Sequence, residues 1–521
     1  MRGAARVRAR ADVFVLMRSL RLASVLLAAT AIAATPSAAD TLREALAKAY
    51  ATSPTLSAAQ ATQRASDESV PIARAAGLPS LNGSAGLVQD AFSTGDSITS
   101  PQRQATSSAS FNVPLLNFGL VRSSVRAAET RVEAGQIGLR GTETTLFTNV
   151  VSSYMNVIRD EAIVALNQQN VRVLDVNLQA TRDRFQVGDL TRTDVAQSEA
   201  RLSLARAQFQ SAQANLISSR EGYVQVVGTP PGTLDTPPAL PNLPATPDAA
   251  VEVALKDNPT LLSFQKQRDA ANYDISAARA RRLPQISAVL GGNYYNYLGS
   301  LGAGTGVRVA QQGAFSGTVG LALNAPLFAG GALSAQVRQA QDRRGAAIEQ
   351  ATQAERGVIA QTRAAFAVYR SSLEVISSAQ NAVNANKLSL EGVRAENSVG
   401  SRTILDILNA EQELLNSQVT LVTAQRDAYV AGFALLAAMG RAEARDLGLD
   451  GGALYNPTTN YGRVRRRIFG VGDDANRTPV GTSTVNTPAQ GAEVTRPLDP
   501  LLDTPVDSNP QLTTGKHGAG R

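Results

Sequence analysis

Two aspartates stand at matching places in the chain. Thr191-Arg192-Thr193-Asp194 follows Val187-Gly188, and Thr403-Ile404-Leu405-Asp406 follows Val399-Gly400, the two sets lying 212 positions apart. A threonine with an acid three residues later reads as a capping box, in which the carboxylate satisfies an amide at the start of a helix. A carboxylate can also hold a cation or move a proton, but the rest of the composition leaves it little help. There is no Cys and a single His, His517, near the last residue. Disulfides, thiolate metal sites, cysteine nucleophiles and imidazole bases are therefore excluded from the folded body. The acids fall at capping positions or on helix surfaces and form no compact constellation by spacing. No Gly-x4-Gly-Lys-Ser/Thr run cradles a nucleotide phosphate. The reading is of a protein that performs no catalysis and carries no cofactor or metal.

The elements that position these aspartates come twice. The offset of 212 also carries Val113-Pro114 onto Ala325-Pro326 and Val227-Gly228 onto Met439-Gly440. An offset of 205 carries Ser53-Pro54 onto Asn258-Pro259 and Leu78-Pro79 onto Leu283-Pro284. Two long repeats point to a pseudosymmetric assembly. Each copy is expected to open with a helical segment, Leu42 to Ala76 and Ala249 to Arg282, stopped by a Leu-Pro pair. Two stretches of strand periodicity follow. Phe315, Val319, Leu321 and Leu323 alternate with Ser316, Thr318, Ala322 and Asn324, and 105–113 alternates likewise. Partner strands are expected near Leu81–Phe92 and Gln285–Leu298, the latter rich in tyrosine, and the glycine-rich loop Gly299 to Gly313 takes up most of the slipped register. Strict alternation gives one apolar and one polar face.

Proline-free stretches at 119–228 and 331–440 come next. Their apolar residues fall at alternating spacings of four and three, as in Leu146, Val150, Val157, Val164, Val171, Leu174 and Leu178. Such a seam packs long helices side by side, and a helix from 119 to 186 is about 100 Å long at about 1.5 Å per residue. Four strands with a polar face cannot close a membrane barrel alone, whereas three chains pooling them supply about twelve. The competing expectation is a periplasmic adaptor or coiled-coil scaffold without a pore, which also uses long helical hairpins.

The ends read differently. Residues 1–39 have the order of a secretory signal peptide: Arg18 and Arg21, an apolar run from Leu22 to Ala34, then Ser37-Ala38-Ala39. Met17 is an alternative start. Of the formal charge of +7, six arginines and one aspartate before Asp40 contribute +5, so the exported body is close to neutral and no nucleic-acid partner is expected. The exception is the cluster Arg463-Val464-Arg465-Arg466-Arg467, read as a solvated or membrane-proximal tail segment. The domain plan is a first repeat at 40–240, a second at 241–450 and a proline-rich, disordered periplasmic tail at 451–521.

These motifs together resemble the TolC family of outer-membrane efflux and secretion channels over roughly residues 40–445. The residues that carry the likeness are Asn258-Pro259, Arg279 to Pro284, Ala325-Pro326-Leu327-Phe328-Ala329-Gly330-Gly331, Arg184-Phe185-Gln186-Val187-Gly188 through Asp194, and Ser398-Val399-Gly400 through Leu408. The resemblance implies a mainly α fold with a membrane β-barrel: a homotrimer whose twelve-stranded barrel sits in outer-membrane lipid above a long α-helical barrel in the periplasm. It implies an exit duct for a tripartite efflux pump or a type I secretion system. Its partners would be a periplasmic adaptor (membrane fusion protein) and an inner-membrane RND or ABC transporter, and tip helices would open it like an iris. By the same resemblance Val187, Gly188, Val399 and Gly400 are the tip turns an adaptor touches. Asp406 would form a ring at the narrowest point, and Arg402 would latch it shut against Thr193 and Asp194. Two positions depart from better-known members: Asn409 stands where a second acid is frequent, and Asn397 stands where a latch tyrosine occurs. A looser latch and weaker cation binding are expected from these changes.

Overall fold

The structure is a computed structural model that describes residues 40–92, 101–300, 311–449, 454–470 and 481–503. The signal-peptide segment and most of the Gly299–Gly313 loop lie outside the described residues.

Two antiparallel helical hairpins dominate the chain. In the first, α4 (Leu120–Gln186) reverses into α5 (Arg192–Val227); in the second, α8 (Ala332–Ser398) reverses into α9 (Ile404–Ala438). The two long helices have 67 residues each, close to 100 Å at about 1.5 Å per residue. An offset of 212 carries Leu120 onto Ala332, and one of 205 carries Ser80 onto Gln285. The insertion therefore falls within the sheet.

The helical segments that open each repeat are not single helices. The first divides into α1 (Leu42–Thr52), α2 (Pro54–Asp67) and α3 (Ser69–Ala75), and the second into α6 (Pro247–Asp257) and α7 (Pro259–Ala280). The reason is local. Pro54 and Pro259 have no N–H to continue the preceding helix and force Ser53 and Asn258 into extended backbone. Each proline then serves as the first residue of a new helix. Ser53 Oγ accepts from Leu56 N at 3.3 Å, and Asn258 Oδ1 accepts from Thr260 N at 3.0 Å.

The four strands β1 (Ser80–Gln89), β2 (Arg103–Leu116), β3 (Gln285–Asn296) and β4 (Gly313–Asn324) form one antiparallel sheet in sequence order. Directly opposed residues share a face. One row across all four strands reads Leu81, Phe111, Leu290, Val319; three positions further on, another reads Ser84, Ser108, Asn293, Ser316. An odd displacement puts these rows on opposite faces, one apolar and one polar. Among the described residues nothing covers the apolar face: Val319 is 84% exposed and Leu81 72%.

The main core sits where the opening helices wrap the hairpins, around Phe147, Val150, Tyr154, Leu216, Tyr223 and Phe433. A second cluster follows toward the turns, with Leu166, Val383, Leu390, Ile407 and Leu414. A third joins Leu174, Leu178 and Leu202 to Leu408.

The expectation of a disordered tail from 451 is corrected over much of its length. A short helix, α10 (Pro457–Val464), packs against α2, with Val464 fully buried and Asn460 Nδ2 donating to Asp67 Oδ2 at 2.7 Å. Residues 481–503 then run as an irregular strap along both hairpins. Arg220 on α5 donates to the carbonyls of Gly491 (2.7 Å) and Glu493 (2.6 Å), and Thr495 N and Oγ1 donate to Glu161 on α4 at 2.6 and 2.8 Å. Gln418 on α9 donates to Leu502 O at 2.8 Å, and the Leu502 side chain is buried. Proline keeps this segment from forming helix or sheet, but its backbone groups find partners on helix side chains instead.

Candidate functional site: the paired hairpin turns

The candidate site lies where both hairpins reverse. At the first turn Val187 caps α4, and Gly188 adopts φ +85°, the left-handed conformation that glycine takes without steric cost. Asp189 N reaches back to Arg184 O at 2.9 Å and Gly188 N to Phe185 O at 3.0 Å, closing the helix in a Schellman-type turn. The second turn repeats this at Val399 and Gly400 (φ +81°), with Ser401 N to Glu396 O and Gly400 N to Asn397 O both at 3.0 Å. Val187 and Val399 project into solvent, 80% and 73% exposed.

Both capping boxes form as their spacing predicts. Thr191 N donates to Asp194 Oδ2 at 2.9 Å while Asp194 N donates to Thr191 Oγ1 at 3.3 Å. Thr403 and Asp406 repeat the pattern at the same distances. The amide and hydroxyl of Thr403, and beyond them the charge of Arg402, hold the Asp406 carboxyl below the usual aspartate range. Partial protonation, expected for carboxylates gathered at a pore, thus has to work against a cap that favours the ionised form.

The proposed latch residues are placed as follows. Arg402 is exposed, and its Nε donates to Glu396 Oε2 at 2.7 Å across its own turn; this bond raises its pKa. Among the described residues no hydrogen bond or ion pair joins Arg402 to Thr193 or Asp194, and Thr193 is exposed. Asn397 donates from Nδ2 to Arg402 O at 2.7 Å, so it braces the loop that carries the arginine. Asn409 accepts at Oδ1 from Arg201 of α5 at 2.7 Å, tying the inner ends of the two hairpins together. A cleft of about 320 Å³ opens between the hairpins, lined by Asn177, Thr181, Arg184, Arg394, Asn397 and Ile404 among others.

Sequence reading named Asn409 and Arg402 but not their partners Arg201 and Glu396, nor the pair Arg394 and Glu411. Glu396 sits six residues before Arg402, a separation at which no helix face pairs them; only the turn does. Arg201 and Asn409 lie on different repeats. Arg394 pairs with Glu411, whose carboxyl is buried and pushed up by desolvation, in the layer just above the turn. An acid seventeen residues past an arginine gives a sequence no periodic cue. Among the described residues no group of acids or histidines is placed to hold a metal ion, and no helix is long and apolar enough to cross a membrane.

Hundred-ångström helical hairpins under an open four-stranded sheet with one apolar and one polar face define a class, the protomers of outer-membrane channel-tunnels. The family model described as outer membrane efflux protein matches residues 45–229 and 250–441, and the chain belongs to that family. It is 33% identical over 472 residues to the outer membrane efflux protein BepC of Brucella suis, covering 91% of this chain and all of that one. It is 27% identical to outer membrane protein TolC of Escherichia coli over 431 residues, 81% of this chain and 87% of that one. The solved outer membrane protein VceC of Vibrio cholerae shares its fold, with a TM-score of 0.64 at 22% identity over 77% of this chain and 96% of that one. The protein is an outer-membrane exit duct of the efflux and secretion type.

Proposed function

We propose that three copies close one conduit, with edge β4 of each chain pairing with edge β1 of the next into a twelve-stranded barrel. The observation that carries this is the sheet itself. Among the described residues its two outer edges have no partner and its apolar row has nothing packed on it. Open edges and unpaired backbone groups do not persist in lipid. Closure around the polar row Ser84–Ser108–Asn293–Ser316 gives a wet lumen and a lipid-facing exterior.

The hairpins then form a periplasmic tunnel whose far end is the paired turns. A periplasmic adaptor contacts Val187, Gly188, Val399 and Gly400, and an inner-membrane RND or ABC transporter supplies the energy. Asp406 rings the constriction, and the α5 and α9 tips move apart like an iris. Arg402 acts as the latch by exchanging its bond to Glu396 for Thr193 and Asp194 of a neighbouring hairpin.

The native chain has no Cys, so engineered pairs report cleanly. Ser84→Cys on β1 combined in turn with single cysteines from Ser316 to Ala322 on β4 should yield one register that cross-links covalently to trimer and stops there. Ladders ending at dimer, or no product at any register, would refute the closed trimer.

A further inference from the structure

We propose that the arginine cluster after α10, with Ile468 and Phe469, is a peripheral anchor that binds anionic phospholipid headgroups of the periplasmic leaflet beside the barrel. The placement comes first. Val464 and Asn460 are buried against α2, and Tyr461 packs in the cluster of Val70, Val125, Ala128 and Val132. Arg74 Nη1 donates to Arg465 O at 3.0 Å, fixing the cluster to the end of α3. Arg74 is six residues before β1 begins at Ser80, so the cluster lies within about 20 Å of the base of the membrane sheet by chain reach.

Charge and apolar surface then coincide. Residues 463–469 hold four arginines and no acid, and Arg463, Arg465, Arg466 and Arg467 are all exposed. Arg122 and Arg126 in the first turns of α4 add to the same level. Of the acids there, Asp67 is buried under Asn460 and Gln63 and Glu133 is held by Lys266, while half-buried Glu68 and Glu129 also lie at this level, so the four arginines outnumber the acids rather than stand without them. Phe469 is 89% exposed and Ile468 65%, and Ile72, two residues before the Arg74 that holds Arg465 O, is 71% exposed. The side chain of Arg467 bonds back to Phe469 O at 3.2 Å, which holds the loop folded on itself. Phe118, just past β2, and Leu327 and Phe328, just past β4, are exposed as well, so the ends of the strands carry apolar surface of their own. Cations at headgroup level with apolar side chains beyond them fit a lipid surface.

The inference rests on the sheet lying in the membrane, and the test separates the two. The chain has no Trp, so Phe469→Trp gives a sole indole in the full protein. The variant is reconstituted into acyl-brominated phosphatidylcholine vesicles with and without one-fifth phosphatidylglycerol. The expected result is blue-shifted, bromine-quenched emission that is strongest with phosphatidylglycerol. Each arginine near an anionic surface favours it about fivefold, so adding Arg465→Gln, Arg466→Gln and Arg467→Gln should lower partitioning about a hundredfold and abolish most of the quenching. Val319→Trp on β4 is the control. If it is quenched while Phe469→Trp stays water-like in both lipids, the anchor is wrong. Equal quenching in both lipids, or capture by isolated peptidoglycan without any lipid response, also overturns it. Loss of quenching at Val319→Trp would instead overturn the placement of the sheet.

Discussion

Replacing Arg220 by methionine tests whether the tail strap is part of the fold. Arg220 and Glu161 are a buried pair at 3.1 Å, with side chains 9% and 3% exposed. Arg220→Met removes the ion-pair hydrogen bond and the two donors that hold Gly491 O and Glu493 O. Glu161 keeps Thr495 as its partner but loses its counter-charge. Breaking a buried pair from one side costs about 3–5 kcal/mol. In an ordered body of roughly 400 residues, at about 2.1 cal/mol/K per residue, 4 kcal/mol lowers the unfolding midpoint by about 5 °C. In a cooperatively melting trimer the cost and the entropy both triple, so the shift is unchanged. The assay is the temperature at which detergent-solubilised oligomer converts to monomer on gels, with proteinase K susceptibility of 481–503 as a second readout. The double variant Arg220→Met/Glu161→Gln, which keeps an acceptor for Thr495, should recover much of the loss. Two charges leave the interior together, and Arg220 Nε already lies buried without an acceptor. A wild-type midpoint for Arg220→Met, or a double variant as weak as the single, would refute the buried-pair reasoning.

Other perturbations should give the following. Arg402→Ser is expected to raise single-channel conductance in planar bilayers, and Asp406→Ala to weaken block by divalent or trivalent cations; unchanged traces would reduce both residues to turn and cap. Gly440→Ala should cost several kcal/mol, because a Cβ there would lie 2.5 Å from Asp257 O at φ +74°. Gly400→Ala, in open space at φ +81°, should cost only about 1–2 kcal/mol for the left-handed backbone, so comparable melting losses would disprove the packing account. The Glu411 carboxyl is raised by desolvation. Its contribution is therefore fully present below the unfolded pKa of about 4.3 and is lost as pH rises through the higher folded value. The stability of wild type relative to Glu411→Gln should accordingly fall from pH 4 to pH 7, and a flat difference in melting midpoint would contradict the burial.

The parts legible in sequence are those where one short motif fixes one local geometry. Val-Gly at 187–188 and 399–400 marks a helix reversal because the left-handed residue must be glycine. Thr-x-x-Asp marks a helix start because the acid and the threonine answer each other's amides. Strand alternation gave both faces of the sheet because the period of two is strict. Ser53-Pro54 and Asn258-Pro259 carried the signal for helix breaks as plainly, but a repeat-wide helical pattern hides a one-residue interruption. The tail was not legible for a different reason. Proline opens α10 at Pro457 but keeps 481–503 irregular, and order there comes from Arg220, Glu161 and Gln418, which lie 84 to about 330 positions away. The Arg402–Glu396 and Arg201–Asn409 bonds are likewise products of the folded turn and of hairpin packing.

The strap also bears on where the duct can move. It ties α4 and α5 at Glu161 and Arg220, then reaches α9 at Gln418 and α8 at Lys387, which donates to Leu501 O at 2.5 Å. Both hairpins are thus bound to one segment at mid-height, and its last described residue, Asp503, meets Gln169 on α4. From Gln169 to the end of α4 at Gln186 is about 25 Å of helix at about 1.5 Å per residue. Over that span, among the described residues, the hairpins are joined by a thin apolar layer, the Asn409–Arg201 bond and the walls of the 320 Å³ cleft. Few ties below a strapped middle leave the last quarter of the hairpins the part most open to bending. That is the region where Asp406 and Arg402 sit, so the proposed opening at the turns would meet the part of the chain with the fewest ties.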